Sequence, residues 1–323
     1  MTVLVTGGSG VVGGAVIRHL VDSGETVRAL SRSSDSDEKI KALGALPVRG
    51  DMIDPASLPE AFEGIDLVYH IAGVNEMCSK DPAKMVRTNV EGSLAVLRAA
   101  GASKVGRVVY TSSAAAIGEE HGTIGTESSP HRGSYLSHYE RSKHLAEQAM
   151  ISEPTNVELV VVNPSSVQGP GRSSGTGKLI LDVARGKLPV LVDTRLSIVD
   201  IDDCARGHLL AAERGKPRES YILNSFTLPI RDAIEMLEGR LGRDIKVRYL
   251  PGWVAQGASM VIEGAWRSVG RKPPLCREMI RTVRNGHAYD GSRATRELGL
   301  EYTPAEEILA RLIDWFRNEG MLE

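Results

Sequence analysis

The chain has 323 residues, which is ample for one full hydrophobic core and an appended lobe. Hydrophobic residues make up 41% and charged residues 25%, as in globular proteins, which excludes disordered and fibrous classes. The formal net charge of -2 provides no basic field for nucleic acid or an anionic membrane, so neither is expected as a partner.

The cysteines and the apolar runs indicate the cellular compartment of the protein. Cys78, Cys204 and Cys276 are odd in number and widely spaced, which predicts a reducing environment, no disulfide framework and no metal site. Residues 1–5 already have the pattern of a strand, which leaves no room for a signal peptide. No run of 18 apolar residues occurs, so we expect a cytoplasmic protein.

The first half of the chain alternates short β-branched runs with amphipathic segments, a pattern typical of parallel strands joined by crossover helices. Strands are predicted at 3–6, 26–30, 46–49, 66–71, 107–112 and 158–163. Helices are predicted at 11–23, 37–43, 55–63, 81–100 and 139–152. The fold class is therefore α/β, with a doubly wound parallel sheet.

The pattern changes in the second half. Residues 118–138 are polar and lack periodicity, as in a functional lid or a misread element. Strands are then predicted at 197–199, 220–223 and 246–249, and helices at 178–185, 203–214, 230–241 and 305–318. We expect a first domain over 1–165, to which strands return from about 195–225, and a smaller substrate-binding lobe over 166–323.

A glycine-rich turn, Thr6-Gly7-Gly8-Ser9-Gly10-Val11-Val12-Gly13, joins the first strand to the first helix. Gly7 permits the tight turn, Gly10 lets the backbone approach a pyrophosphate, and Gly13 allows close packing of helix on sheet. The helix N-terminus supplies free N–H groups and partial positive charge for phosphates. The turn predicts a dinucleotide-binding first domain.

The end of the second strand bears on which dinucleotide binds. An NAD site favours a carboxylate there, whereas this chain has Ser31-Arg32-Ser33-Ser34 and no acid before Asp35. The planar guanidinium of Arg32 suits a 2′-phosphate, so NADP(H) is favoured and NAD(H) stays an alternative.

Tyr139 and Lys143 stand four residues apart, so on a helix they share one face. A free tyrosine has a pKa near 10, and a neighbouring ammonium is expected to bring it towards a value useful in acid/base catalysis. The strand that ends in Ser112-Ser113 precedes this pair and should reach the same carboxyl edge of the sheet.

With these motifs the chain resembles the extended short-chain dehydrogenase/reductases, in the dihydroflavonol-reductase-like branch of the NAD(P)-dependent epimerase/dehydratase superfamily. Further matching motifs are Gly50-Asp51, His70-Ile71-Ala72-Gly73, Asn89-Val90-Glu91-Gly92, the run from Asn163 to Gly171, Val199 to Asp203, and Glu297 to Leu300. The resemblance covers nearly the whole chain and implies a Rossmann fold.

The resemblance implies a role for each matching residue. Tyr139 would be the acid/base, Lys143 would hold the nicotinamide ribose, and Ser113 would hydrogen-bond the substrate oxygen. The other implied cofactor contacts are Thr6, Gly7, Ser9, Gly10, Val11, Val12, Gly13, Arg32, Asp51, Met52, Ala72, Gly73, Asn89, Pro164 and Ser166. Asn89 has a structural role in many extended members, and family members often dimerise, so a homodimer is a hypothesis.

Three functions stay open. The first is NADP-dependent reduction of a ketone or aldehyde to an alcohol, or the reverse, by hydride transfer with Tyr139 as the acid/base. The second is a sugar or nucleotide-sugar epimerase or dehydratase with tightly held NAD, although residues 285–290 lack the arginine motif with which nucleotide-sugar members commonly hold the diphosphate. The third is a non-catalytic dinucleotide sensor, which the intact Tyr139 and Lys143 disfavour.

Two local features have competing interpretations. Residues 252–270, rich in Ala, Gly and Trp, form either an apolar substrate-pocket wall or an ordinary packing helix. Asp202 and Asp203 precede a helical pattern and are predicted to be N-caps.

Overall fold

A sheet of seven parallel strands forms the centre of the computed structural model, which describes residues 1–322. The strands of the chain are β1 (Thr2–Thr6), β2 (Thr26–Ser31), β3 (Leu46–Arg49), β4 (Leu67–His70), β5 (Arg107–Thr111), β6 (Glu158–Pro164), β7 (Ser166–Gln168), β8 (Val190–Val192), β9 (Arg195–Asp200), β10 (Ser220–Leu223), β11 (Phe226–Pro229) and β12 (Arg248–Leu250).

The helices follow the strands in the first half and dominate the end of the chain. They are α1 (Val11–Asp22), α2 (Ser34–Ala42), α3 (Pro59–Phe62), α4 (Pro82–Ala102), α5 (His138–Ser152), α6 (Thr176–Ala184), α7 (Ile201–Arg214), α8 (Ile230–Leu241), α9 (Gly252–Ser268), α10 (Arg277–Asn285) and α11 (Ala305–Asn318). A π-helical turn covers Ala294–Leu298.

The order of the large sheet is β10-β6-β5-β4-β1-β2-β3, so the chain order reverses between β1 and β4. Alternate residues of β1 enter different cores: Val3 and Val5 pack with α1 and α7, and Leu4 packs with α4 and α5. Helices therefore cover both faces of the sheet, which confirms the predicted doubly wound α/β fold. Ligands in such sheets bind beyond the carboxyl ends of the strands, where the order reverses.

The second half builds two smaller sheets around a third hydrophobic core. β7, β9 and β11 form one sheet, and β8 pairs with β12 in the other. Only β10 of these later strands joins the large sheet. The third core is lined by apolar side chains of α6, α8 and α11, among them Leu181, Ile234 and Phe316.

The expectation of unpaired cysteines is wrong for two of the three. Cys78 and Cys276 form a disulfide with their Cα atoms 5.9 Å apart, a separation that suits such a bond. The residues lie 198 positions apart, so their sequence spacing carries no signal of the pairing. Cys204 is free and fully buried in the core. Within residues 1–322, no helix is long and apolar enough to cross a membrane.

The N-cap of α7 also differs from the prediction. Asp200, not Asp202 or Asp203, is the cap, and its Oδ1 accepts a hydrogen bond from the backbone N–H of Asp202 at 2.8 Å. Asp203 instead accepts hydrogen bonds from the backbone and the hydroxyl of Thr303. The helix begins two residues earlier than predicted, because the Asp200 carboxylate accepts the backbone N–H groups of Asp202 and Asp203 and so starts the helix at Ile201.

Candidate active site

The glycine-rich turn lies at the carboxyl end of β1, where its geometry excludes side chains. Gly7 has φ +75°, and a Cβ there would lie 2.8 Å from the backbone nitrogen of Ala72. A Cβ at Gly13 would overlap the carbonyl oxygen of Gly7. Gly10 is the N-cap residue of α1 and has no side chain to occupy the space in front of the helix. The first N–H groups of α1 thus face a cradle that fits a pyrophosphate.

Thr6 fixes the neighbouring loop rather than lining the open space. Its Oγ1 lies 2.7 Å from Nδ1 of His70 and accepts hydrogen bonds from the backbone of Ile71 and Ala72, each at 3.1 Å. His70 is fully buried and also contacts the hydroxyl of Ser93, 2.9 Å away. The role of Thr6 in this structure is therefore to hold the β4 loop beside the glycine turn.

A cavity of about 780 Å³ opens in front of the turn. Seven residues expected to bind a cofactor line it, namely Gly7, Ser9, Arg32, Asp51, Met52, Ala72 and Gly73. Its far wall, which the sequence did not indicate, comes from residues 74–81 after β4 and from Lys272 of the second half. The size and position of the cavity fit a dinucleotide.

Arg32 projects from the end of β2 into this cavity. Its Nη1 lies 3.6 Å from Oδ2 of Asp51, and its side chain is 70% exposed. Ser33 accepts a hydrogen bond from Ser36 N at 3.3 Å and caps α2. The guanidinium is thus held loosely enough to turn towards an added phosphate.

Ten expected cofactor residues are not among those that line the cavity, namely Thr6, Gly10, Val11, Val12, Gly13, Asn89, Tyr139, Lys143, Pro164 and Ser166. Val11 and Val12 open α1 and pack against the core, and Gly13 is buried. Asn89 is 1% exposed, and its side chain bonds both the N–H and the C=O of Val74, at 2.7 and 3.0 Å. Its amide also donates to the hydroxyl of Ser142 at 2.9 Å, so Asn89 fastens α4 to α5.

Pro164 and Ser166 lie on either side of the break between β6 and β7. Ser166 donates a hydrogen bond to the hydroxyl of Thr176 at 2.9 Å and accepts one from Gln168 at 3.0 Å. These bonds hold the loop between β7 and α6 against the carboxyl edge of the sheet.

Tyr139 and Lys143 lie in the first turns of α5, on one face. Ser137 begins the helix as its N-cap and accepts a hydrogen bond from Glu140 N at 3.1 Å. Lys143 is 6% exposed and donates to the backbone oxygen of Thr111, the last residue of β5, at 2.8 Å. A Cβ added at Gly73 would lie 3.6 Å from its Nζ, so the ammonium is next to the dinucleotide cavity.

The pKa of Tyr139 is raised, contrary to the expectation that Lys143 lowers it. Removal of the phenol from water is the main cause, and the nearby hydroxyl of Ser113 and the charge of Arg172 oppose it. Arg172, on the loop after β7, was not singled out from the sequence because it belongs to no spaced motif. Among the described residues, its buried Nε has no hydrogen-bond partner.

Burial lowers the pKa of Lys143 to about 8, and the carboxylate of Glu147 opposes this shift. Glu147 is on the same helix, one turn further on, and accepts a hydrogen bond from Asn163 at 2.7 Å. Asn163 also donates to the backbone oxygen of Ser113 at 3.2 Å. One chain of bonds thus joins α5, β6 and the end of β5.

The polar stretch 118–138 is an ordered loop with buried charges at both ends. Arg132 bonds the carboxylate of Glu140 and donates to the backbone oxygen of Glu119 at 2.8 Å. Glu119 in turn contacts Nδ1 of His287 at 2.5 Å. These bonds tie the loop to the start of α5 and to the second half of the chain.

Residues 252–270 contain helix α9 and are not among the residues that line the cavity. Trp253 and Val261 are each 73% exposed, and the residues it buries are Ala255, Ser259 and Glu263. Its large apolar side chains therefore point to its surface face.

The fold and site define an NAD(P)-dependent enzyme of the short-chain dehydrogenase/reductase type. Residues 3–223 match the NAD dependent epimerase/dehydratase family, and the chain belongs to that family. It is 33% identical to a Synechocystis sp. protein named "Putative dihydroflavonol 4-reductase", covering 99% of this chain and 95% of that one. It is 28% identical to a 2-alkyl-3-oxoalkanoate reductase of Stenotrophomonas maltophilia, covering 97% and 98%.

A solved structure titled "Crystal structure of gox2253" is 34% identical, with a TM-score of 0.87 over 100% of this chain and 99% of that chain. The family and fold expected from the sequence motifs are therefore confirmed.

Proposed function

We propose that the protein is an NADP-dependent oxidoreductase that reduces a ketone or aldehyde to an alcohol, or catalyses the reverse, with Tyr139 as the acid/base. The observation that carries this proposal is the position of Lys143, which lies one helical turn after Tyr139 and has its Nζ 3.6 Å from where a Cβ of Gly73 would lie, at the wall of a cavity that fits a dinucleotide. The two relatives named as reductases support the reaction class.

The cofactor proposal depends on the cavity. Gly7, Gly10 and the first turn of α1 would hold the pyrophosphate, and Arg32 would pair with a 2′-phosphate, which favours NADP(H) over NAD(H). When bound, the nicotinamide dinucleotide would supply the hydride.

The protein's own groups would move the proton. With its pKa raised, the phenol of Tyr139 is protonated at neutral pH and suits donation of a proton to the oxygen of a carbonyl undergoing reduction. Ser113 would donate a hydrogen bond to that oxygen and stabilise its developing negative charge. Lys143, held against Thr111, would bind the ribose and place positive charge near the same oxygen.

The test is consumption of NADPH with a panel of aryl ketones, alicyclic ketones, aldehydes and 3-oxo esters. The proposal predicts one NADPH oxidised for each alcohol formed, and no net oxidation without a carbonyl compound. In a second assay, the purified protein is denatured by heat and the supernatant is analysed for released dinucleotide. NAD⁺ that survives dialysis and is not consumed during turnover would favour a sugar epimerase or dehydratase instead.

A further inference from the structure

Residues 74–81, here called the strap, connect β4 to α4 and form one wall of the dinucleotide cavity. Val74, Glu76, Ser79, Lys80 and Asp81 all line that cavity. The amide of Asn89 fixes the first strap residue through both backbone groups of Val74. The rest of the strap crosses towards the second half of the chain.

Four contacts join the strap to residues 270–278. Cys78 is bonded to Cys276, Lys80 donates to the backbone oxygen of Gly270 at 2.8 Å, and Lys272 pairs with Glu76 at 2.5 Å. The fourth is a hydrogen bond from the backbone N–H of Cys78 to the carboxylate of Glu278. Lys272 itself lines the cavity, so these contacts close one side of it.

Glu278 extends this connection to the helix that carries the catalytic pair. Its second carboxylate oxygen accepts a hydrogen bond from the backbone N–H of His138 at 3.0 Å, one residue before Tyr139. The side chain is 6% exposed, so it links the strap to the start of α5 from a buried position.

The disulfide is the strongest of these attachments. Lys272 and Glu76 are 44% and 39% exposed, and exposed ion pairs contribute little to stability. Cys78 has φ +57°, a backbone conformation that non-glycine residues seldom adopt without an external constraint. Loss of the bond would leave the middle of the strap with polar contacts alone.

We propose that the Cys78–Cys276 disulfide is a redox latch that retains the dinucleotide by holding the strap closed. Reduction by two equivalents of a small thiol, or by one dithiol protein, breaks the S–S bond and gives two cysteine thiols. The two electrons and two protons come from the reductant, which leaves as a disulfide. This proposal rests on the cofactor site of the proposed function but not on the identity of the carbonyl substrate.

The disulfide and the bound nucleotide should each stabilise the closed strap and therefore each other. Both cysteines are at most 2% exposed, so a reductant reaches them only after the strap opens. A nucleotide that contacts the closed strap should therefore slow reduction by limiting access to the disulfide. At equilibrium it should also disfavour the reduced form by the same factor by which reduction weakens nucleotide binding.

The experiment measures NADPH dissociation by stopped-flow fluorescence from the oxidised protein and from protein reduced with dithiothreitol. Reduction should speed release roughly tenfold, which corresponds to about 1.4 kcal/mol. Cys276→Ser should release NADPH at the fast rate with or without reductant. Cys204→Ser, the matched control, should keep the full redox dependence. Bound NADPH should also slow the appearance of the two thiols.

Equal release rates from oxidised and reduced protein would overturn the latch and leave the reductase proposal standing. Three titratable thiols, or a zinc ion held by Cys78 and Cys276, in aerobically purified protein would also overturn it. Failure of NADPH to bind either redox form would overturn both proposals.

Discussion

The ammonium of Lys143 donates a hydrogen bond to the backbone oxygen of Thr111, 2.8 Å away, at the last residue of β5. Ser113 follows two residues later, so one strand end positions both the lysine and the serine of the proposed site. Because the lysine is buried, its pKa falls to about 8, and the charge of Glu147 limits the fall. Its charge state near neutral pH therefore depends on a residue outside the recognised motif.

Glu147→Gln should lower the pKa of Lys143 further, because it removes the carboxylate that favours the ammonium. If activity requires the charged form of Lys143, the alkaline limb of the pH profile of kcat/KM should move to lower pH. The measurement is kcat/KM against pH for wild type and variant, with Glu153→Gln as control, since Glu153 pairs with Arg98 at the far end of α5. An unchanged alkaline limb would mean that Glu147 does not control this lysine. Glutamine keeps an oxygen for the amide of Asn163, so the fold should be retained.

Arg32→Gln should weaken NADPH binding roughly 10- to 100-fold, the usual worth of a charge-assisted hydrogen bond, and leave NADH binding unchanged. Titration by fluorescence gives both dissociation constants. Arg49→Gln is the matched control, because Arg49 pairs with Asp37 at the sheet edge and is not among the residues that line the cavity in the described structure. Equal losses for both cofactors would remove Arg32 from 2′-phosphate recognition.

Gly13→Ala should weaken NADPH binding, whereas Gly14→Ala should stabilise the helix, although the two glycines are adjacent in α1. A Cβ at Gly13 overlaps the carbonyl of Gly7, so the phosphate turn must shift and NADPH affinity should fall at least tenfold. A Cβ at Gly14 would lie 3.4 Å from the nearest side-chain atom, and alanine favours the helix by about 1 kcal/mol over glycine. Urea unfolding and NADPH titration test both. Similar effects of the two changes would contradict this account of the turn.

Acidification should destabilise the protein through its buried histidines. Burial lowers the pKa of His208 to about 4, and its Nε2 lies 2.8 Å from the hydroxyl of Thr111. The unfolded state binds a proton near pH 6.5 that the folded state does not, so stability falls as pH drops below that value. At pH 5, this difference in proton binding by His208 lowers the free energy of unfolding by about 2 kcal/mol relative to its value above pH 6.5.

Urea denaturation at pH 7.5 and pH 5 measures that dependence. His208→Gln should show a shallower loss of stability on acidification than wild type, whereas the exposed His138→Gln should not. A pH dependence that is the same in all three proteins would contradict the assignment to His208.

The sequence predicts much of this molecule because its signals are local. Short β-branched runs located the strands of the large sheet, and helical periodicity located most helices. The glycine turn and the tyrosine–lysine spacing each depend on residues close together in sequence. The very short strands β7, β8 and β11 were missed, since three or four residues carry too little periodicity. The Cys78–Cys276 bond and the influence of Arg172 arise from tertiary contacts, which no local pattern reports.

The most direct test of the proposed chemistry compares wild type with Tyr139→Phe in NADPH-dependent carbonyl reduction, using whichever panel compound the wild type reduces. The account predicts that the variant folds, binds NADPH with unchanged affinity and loses turnover by roughly 10²- to 10⁴-fold, the usual contribution of acid/base catalysis. Near-full turnover in Tyr139→Phe would contradict it and remove the phenol from the mechanism.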